Sequence, residues 1–238
     1  MSEQTVRLSY ANLEELSRAA ADLIVESMET AVNERGFFSL CLAGGHTPAR
    51  LYELLATDYR EKINWRQTFV FWGDERLVPL DHKDSNYRLA AISLLPCLPK
   101  ANIKTVAVTA ADPESAARLY EEELERFRQE QGIGNGPLFD CVLLGMGPDG
   151  HCASLFPGSP LLQENRKLAA AIVEPAGSPP VARITLTLPA LAASRAVIFM
   201  VSGSRKLEIV SEILSGRGMQ FPAARVRSRG PVYWLCSP

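Results

Sequence analysis

Few histidines, no paired cysteines and almost no net charge set the first limits on this chain. It has three His, five Cys and a formal net charge of -2 over 238 residues. The cysteines (Cys41, Cys97, Cys141, Cys152 and Cys236) are odd in number and form no CxxC pair. That excludes a disulfide framework and fits a reducing, cytoplasmic setting. Nothing has zinc-ligand spacing, so no metal is expected. A charge this close to zero carries no polyanion signature, so no nucleic-acid partner is expected. No run approaches ~18 uninterrupted apolar residues, so no helical membrane span is expected. Met1 to Tyr10 is polar, without the apolar core of a signal peptide. Internal repeats and low-complexity tracts are also missing.

What is there is ordinary for a soluble globular protein: 47% hydrophobic and 22% charged residues. The length allows one large α/β domain or two small ones, with a core that needs no disulfide or metal. Apolar residues recur at helical spacing over Asn12 to Arg35, with Asn12 and Glu15 placed as a capping box and Gly36 as the stop. Further helices are expected at Pro48 to Ala56, Ser85 to Leu95, Pro113 to Gln131 and Ser204 to Leu214. Strands are expected at Phe37 to Leu42, Thr68 to Trp72, Ile103 to Val108, Phe139 to Leu144, Arg183 to Leu188, Ala196 to Val201 and Val232 to Leu235. Strands alternating with helices predict a mainly parallel sheet covered on both faces. Gly132 to Pro137 and Pro175 to Pro180 read as surface loops within a single domain spanning 1–238.

In such a sheet, ligands sit beyond the carboxyl ends of the strands. Four of those ends carry unusual loops. Gly145-Met146-Gly147-Pro148-Asp149-Gly150-His151 follows a buried strand and holds one of the few histidines. A histidine there is placed for proton chemistry near neutral pH. Asp149 either orients the imidazole, contacts substrate, or simply forms the turn, since Pro-Asp-Gly is strong turn chemistry. Ser154 follows His151 closely, but no GxSxG elbow surrounds it, so it is not expected to be a nucleophile.

Ala43-Gly44-Gly45-His46-Thr47-Pro48 joins a strand to a helix. Thr47 suits the N-cap and Pro48 the first helical position, and a Gly-rich turn at a helix N-terminus makes an anion site. This loop is neither a Walker motif nor GxGxxG. Gly73-Asp74-Glu75-Arg76 follows a third strand. Glu75 is expected to be a solvated turn residue, whereas Asp74 and Arg76 suit hydroxyl and anion contacts. Ser202-Gly203-Ser204-Arg205-Lys206 is a second strand-to-helix anion candidate, with Lys206 supplying the charge. His82 and the cluster Arg225, Arg227 and Arg229 are expected on solvated surfaces.

Together these loops resemble one family, the 6-phosphogluconolactonases. The stretches that carry the resemblance are Ala43 to Pro48, Phe71 to Arg76, Asp84-Ser85-Asn86-Tyr87, Gly145 to Gly158, Arg183 to Pro189 and Pro222 to Val226. They span nearly the whole chain in the family's order. The resemblance implies a Rossmann-like three-layer sandwich, the fold shared with glucosamine-6-phosphate deaminase and ribose-5-phosphate isomerase. It also implies hydrolysis of a phosphosugar lactone in the oxidative pentose phosphate pathway, without metal or organic cofactor, by a monomer or weak homo-oligomer.

By the same resemblance, His151 with Asp149 forms the catalytic pair. Gly44, Gly45, His46, Thr47, Asp74, Arg76, Gly150 and Lys206 contact substrate. The deaminase branch carries a glutamate five residues after the loop histidine, where this chain has Phe156. Three positions depart from the lactonase pattern: His46, Cys152, and the residue after Leu235, which is often Asp and here is Cys236. A sugar-phosphate-sensing regulator is the non-enzymatic alternative. Such proteins carry a DNA-binding segment ahead of the fold, and this chain reaches its first expected helix at once, so an enzyme is expected.

Overall fold

The computed structural model describes residues 5–173, 177 and 179–238. Positions 1–4 of the polar start, and 175, 176 and 178 of the expected loop at 175–180, lie outside the described residues. Six parallel strands form the central sheet. In spatial order they are β1 (Thr5–Ser9), β9 (Val232–Ser237), β8 (Ser194–Ser202), β5 (Phe139–Leu144), β2 (Phe38–Leu42) and β3 (Thr68–Trp72). A second, antiparallel sheet runs in the order β4 (Asp74–Arg76), β7 (Arg183–Leu186), β6 (Ala169–Ile172).

Side chains alternate across a strand, and here both faces are buried. Phe38, Leu40 and Leu42 of β2, Leu143 of β5, and Ile198 and Met200 of β8 pack toward one core. That core is closed by α1 (Leu13–Arg35), α2 (Ala49–Ala56) and α3 (Asn86–Ala91). Phe139, Val142, Val197, Phe199 and Trp234 face the other core, covered by α4 (Pro113–Glu130), α5 (Leu188–Ala192), α6 (Ser204–Leu214) and the second sheet. The result is the expected three-layer arrangement. Each fully buried Leu, Ile or Phe contributes roughly 1.5–3 kcal/mol, so the two cores supply most of the gross stabilisation.

The first helix forms as its sequence predicts. Asn12 Oδ1 accepts from the Glu15 N–H at 2.9 Å, Glu15 Oε2 accepts from the Ala11 N–H, and Gly36 ends the helix at φ 81°.

Several expectations need correction. Ile103 to Val108 is not a strand, and only Ile103 bridges to Val70. The reason is local. The Tyr120 hydroxyl accepts from the Trp72 N–H at 2.9 Å and donates to the Trp72 carbonyl at 2.8 Å, which caps the free edge of β3 where the ladder would continue. The strand expected over Arg183 to Leu188 stops at Leu186, because Thr187 caps α5 and Pro189 sits in its first turn. Asp74 to Arg76 is a strand rather than a loop, and β1 and β6 were not expected at all.

The chain runs outward from β2 to β3, then returns through β5, β8 and β9. The order therefore reverses between β2 and β5. Loops leaving adjacent strands in opposite directions open a crevice at their carboxyl ends. At the other end of the same strands, Asp140 is buried among Arg35, Ser39 and Arg195. Its Oδ2 accepts from Arg35 at 2.5 Å and from the Ser39 N–H at 2.8 Å, and Oδ1 lies 3.3 Å from Arg195 Nε.

Removing one partner of such a buried pair leaves the other unpaired at a cost of about 3–5 kcal/mol. Asp140→Ala is expected to lower unfolding stability by that amount in urea titration. Ligand affinity at the opposite end of the sheet should stay at the wild-type value, and a loss there would contradict this separation.

Candidate active site

The crevice between β2 and β5 holds a cavity of about 380 Å³. Loops after β2, β3, β5 and β8 reach it, as the sequence predicts. Gly44, Gly45, His46, Thr47, Asp74, Arg76, His151 and Lys206 all line it. Asp149 and Gly150 do not line it.

The turn Gly147-Pro148-Asp149-Gly150 closes with a bond from the Gly150 N–H to the Gly147 carbonyl at 3.0 Å. Proline at the second position of such a turn presets its φ. The turn swings Asp149 back under His151, and Asp149 Oδ1 lies 2.6 Å from His151 Nδ1. The same oxygen accepts from the His151 N–H at 3.2 Å. A Cβ on Gly147 would overlap the imidazole, so glycine there makes room for the ring. Gly150 has φ +75°, and a Cβ on it would collide with Phe221, so its contribution is to the bend. Burial raises the Asp149 carboxyl, but His151 (its backbone N–H, its charge and its ring) outweighs that and leaves Asp149 below the usual range.

The imidazole packs on Phe156, with ring centroids 4.6 Å apart and planes tilted by 42°. Phe156 also meets the Arg183 guanidinium, whose carbon lies 5.6 Å from the ring centre. Arg183 is a cavity-lining residue that sequence reasoning did not single out.

Asp74 forms the floor. Its Oδ1 accepts from Asn86 Nδ2 at 3.1 Å, and its Oδ2 accepts from the Ser154 hydroxyl at 2.6 Å. Ser154 is therefore a buried support for Asp74, in line with the expectation that it is no nucleophile. Glu75 corrects an expectation, because it is only 2% exposed. Its carboxylate accepts from the N–H groups of Arg76, Asn86 and Tyr87 at 2.7–2.8 Å and from the Ser85 hydroxyl at 3.1 Å. Burial pushes this carboxyl up, against those N–H donors, which hold it down. The repeated spacing of Asp74-Glu75-Arg76 and Asp84-Ser85-Asn86-Tyr87 was visible in the sequence, but not that one motif binds the other.

Thr47 is not the cap of α2. Pro48 occupies that position and Thr47 makes no capping bond, which leaves its hydroxyl free of that role at the cavity wall. Lys206 stands in the first turn of α6 after Gly203, which adopts φ 109°. Burial lowers its pKa, and no carboxylate among the described residues pairs with it. Among the described residues, three basic side chains (Arg76, Arg183 and Lys206) and one carboxylate, Asp74, line the cavity. A concave site with that balance favours an anionic ligand. Among the described residues no cluster of His, Cys, Asp or Glu is arranged for a metal ion, and no helix is long and apolar enough to cross a membrane.

Glu75→Ala would orphan four buried donors. Unsatisfied buried groups cost ~1–3 kcal/mol each, with partial relaxation, so a loss of about 2–4 kcal/mol in thermal or urea unfolding is expected. Unchanged stability would contradict the role given to Glu75.

A family model described as glucosamine-6-phosphate isomerases/6-phosphogluconolactonase matches residues 11–234. A 6-phosphogluconolactonase of Synechocystis sp. is 40% identical over 228 residues, covering 94% of this chain and 92% of that protein. The 6-phosphogluconolactonase of Rattus norvegicus is 37% identical over 231 residues, covering 95% and 88%. Among solved structures, a 6-phosphogluconolactonase from Thermotoga maritima superposes with a TM-score of 0.85 at 32% identity, covering 99% of this chain and 100% of that one.

Proposed function

The chain belongs to the glucosamine-6-phosphate isomerase/6-phosphogluconolactonase family, and from that premise we propose that it hydrolyses 6-phospho-D-glucono-1,5-lactone to 6-phospho-D-gluconate, a step of the oxidative pentose phosphate pathway. The observation that carries this reading is the His151–Asp149 contact of 2.6 Å in a cavity wall shared with Gly44 to Thr47 and Lys206. The names of the relatives support the lactonase branch. Phe156 supports it too, since an aromatic ring fills the place where the deaminase branch carries its second acid–base group. We assign the activity to the cytoplasm, a setting that suits five free thiols, four of them buried.

A lactone carbonyl is already electrophilic, so water needs a base and a held substrate. With Nδ1 committed to Asp149, the imidazole offers Nε2 to water. Nε2 takes one water proton as the oxygen bonds to C1, and the carbonyl electron pair moves onto the C1 oxygen. When that pair returns, the bond from C1 to the ring oxygen breaks. The imidazolium then hands its proton to the departing ring oxygen. The new carboxylic acid releases its own proton to solvent. Asp149 stabilises the imidazolium between the two transfers.

In this reading the C6 phosphate is anchored by Gly44, Gly45, His46 and Thr47 before α2 and by Lys206 in the first turn of α6. Both are helix N-termini, where N–H groups and the helix dipole favour an anion. The two loops leave β2 and β8, which flank β5, so they reach the cavity from either side of the His151 loop. Asp74 takes sugar hydroxyls, with Arg76 beside it.

The direct test is hydrolysis of freshly made lactone, read through a coupled 6-phosphogluconate dehydrogenase against the spontaneous rate. His151→Ala is expected to lose ~10²–10⁴-fold in kcat with KM little changed, the usual contribution of a positioned base. Lys206→Ala is expected mainly to raise KM. Wild-type kcat in His151→Ala would remove the base assignment. Ammonia release from glucosamine 6-phosphate without lactone acceleration would move the chain to the isomerase branch.

A pH effect follows from the burial of Lys206. Lowering a lysine pKa moves the loss of its charge to lower pH, and kcat/KM reports the free enzyme. Affinity for 6-phosphogluconate is expected to fall with rising pH earlier than an ordinary lysine would allow. In Lys206→Arg, whose guanidinium stays charged, that fall should vanish from the alkaline range. An unshifted profile in the arginine variant would show that another group titrates.

A further inference from the structure

Arg183 is the most deeply buried cation lining the cavity. It is 3% exposed. A guanidinium has five N–H donors, and here two weak or single contacts are made: Nη2 donates to the Pro179 carbonyl at 3.1 Å, and Nη1 donates to Ser154 Oγ at 3.4 Å. Its Nε has no partner. Among the described residues the nearest carboxylate oxygen, Asp74 Oδ2, is 3.8 Å away and already accepts from the Ser154 hydroxyl at 2.6 Å. Burying a charge so loosely paired is costly unless something else completes it.

The strand register makes the case sharper. Arg183 on β7 lies directly opposite Arg76 on β4. Like charges in opposed cross-strand positions repel. The Nε of Arg76 is also buried without a partner. Two arginines thus stand opposite each other across the strand pair, and both line the cavity together with Asp74. Burial lowers the Arg183 pKa and Arg76 pushes the same way, with Asp74 opposing them. An anion between the guanidinium groups removes both the repulsion and the vacant donors.

Phe156 fixes which part of a ligand this is. Its ring lies 4.6 Å from the His151 ring, centroid to centroid, and 5.6 Å from the Arg183 guanidinium carbon. Gly177, with φ +74°, lets its backbone close over that stack, since a Cβ there would strike Phe156. Arg183 therefore lies close to the imidazole that takes the proton from the water attacking C1, whereas Lys206 reaches the cavity from the β8 side. In the lactone the phosphorus is five bonds from C1.

We infer that Arg183 is a catalytic residue of the proposed lactone hydrolysis, its guanidinium receiving the C1 oxygen as that oxygen gains charge and then holding the C1 carboxylate of the product. This rests on the lactonase reading. As water adds, the carbonyl π pair becomes a lone pair on the C1 oxygen facing Arg183. As the ring C–O bond breaks, that pair re-forms the carbonyl, and the acid proton leaves to solvent. Arg183 stays protonated throughout and exchanges no proton.

The test compares Arg183→Lys and Arg183→Met with wild type by two readouts. The first is kcat on the lactone. Loss of one donor to a developing oxyanion typically costs ~10²–10³-fold, so a fall of that size is expected in Arg183→Met with KM within a few-fold, and a smaller fall in Arg183→Lys. The second is binding of 6-phosphogluconate against glucitol 6-phosphate, which has the same phosphate and a CH2OH where the acid has its carboxylate. Wild type is expected to prefer the acid, and Arg183→Met to lose that preference while binding glucitol 6-phosphate as wild type does.

If both ligands weaken together in Arg183→Met, Arg183 holds phosphate and the inference fails. If neither changes and kcat stands, its role is structural and the inference fails. Arg183→Lys, which retains a charge for Asp74, covers the case in which the methionine variant does not fold. A wild-type protein that leaves the lactone at its spontaneous rate would instead sink the reading on which this rests. Binding of the two open-chain ligands would still report whether Arg183 recognises a carboxylate.

Discussion

A single carboxylate without access to water fixes the geometry of the catalytic end. Glu75 on β4 accepts three backbone N–H groups and one hydroxyl, all but one of them from the start of α3 or just before it. A buried carboxylate must find such partners, so the N-terminus of α3 is held against β4. Ser85 then caps α3, with the Arg88 N–H donating to its Oγ at 3.2 Å. Asn86 is carried over β4, where its Nδ2 donates to the Asp74 carbonyl at 2.8 Å and to the Asp74 side chain. The loop after β2 must pass the same asparagine, and Gly44 permits this because any Cβ would overlap it. The loop after β2, the Asp74 floor of the cavity and the start of α3 are thus set by one buried ionisable group.

From Asp74 the constraint passes to the second sheet. Ser154, three residues after His151, donates to Asp74, and the Ser154 N–H donates to Thr185 Oγ1 at 3.2 Å. The strand that brings Thr185 also brings Arg183. The antiparallel sheet therefore acts as a clamp that holds cations against their repulsion. Donors fixed in advance cost no reorganisation when charge develops on the substrate. Such a site is bought with folding stability, and the two large cores on either side of the parallel sheet supply it.

How much of this was legible follows from where each residue's partners lie. β2, β3, β5 and β8 are buried on both faces and read as continuous apolar runs, so they stand out in sequence. β1 lies at the sheet edge, mostly exposed, and its polar Thr-Val-Arg-Leu-Ser carries no such pattern. β6 is Ala-Ala-Ala-Ile, which has no alternation to read. β4 has three charged residues, the composition of a solvated turn, and becomes a strand only because β7 pairs with it. At the site, glycines and the histidine announced themselves through local chemistry. Glu75 and Arg183 did not, since their burial comes from elements distant in sequence. Arg183 stood at a polar position of an alternating strand, which ordinarily faces water. Thr47 was assigned to a cap because its residue type suits one, while the actual turn hands that position to Pro48.

The aromatic wall explains how one fold serves different proton chemistry. Isomerisation and deamination move protons between several atoms of an open sugar and call for a second acid–base group near the histidine. Hydrolysis of a lactone needs one proton taken from water and returned to the leaving oxygen, and a single imidazole does both. A carboxylate at position 156 would stand against His151 and beside the Arg183 guanidinium, and it would compete with substrate for that cation. Phe156 instead offers the guanidinium a ring face, a contact worth ~0.5–2 kcal/mol that leaves the N–H edge open. The same ring lies against the imidazole, with centroids 4.6 Å apart. In the proposed reading, an aromatic ring at position 156 therefore leaves the histidine without a second acid–base partner and leaves the guanidinium without a competing carboxylate, a combination that suits ester hydrolysis better than isomerisation.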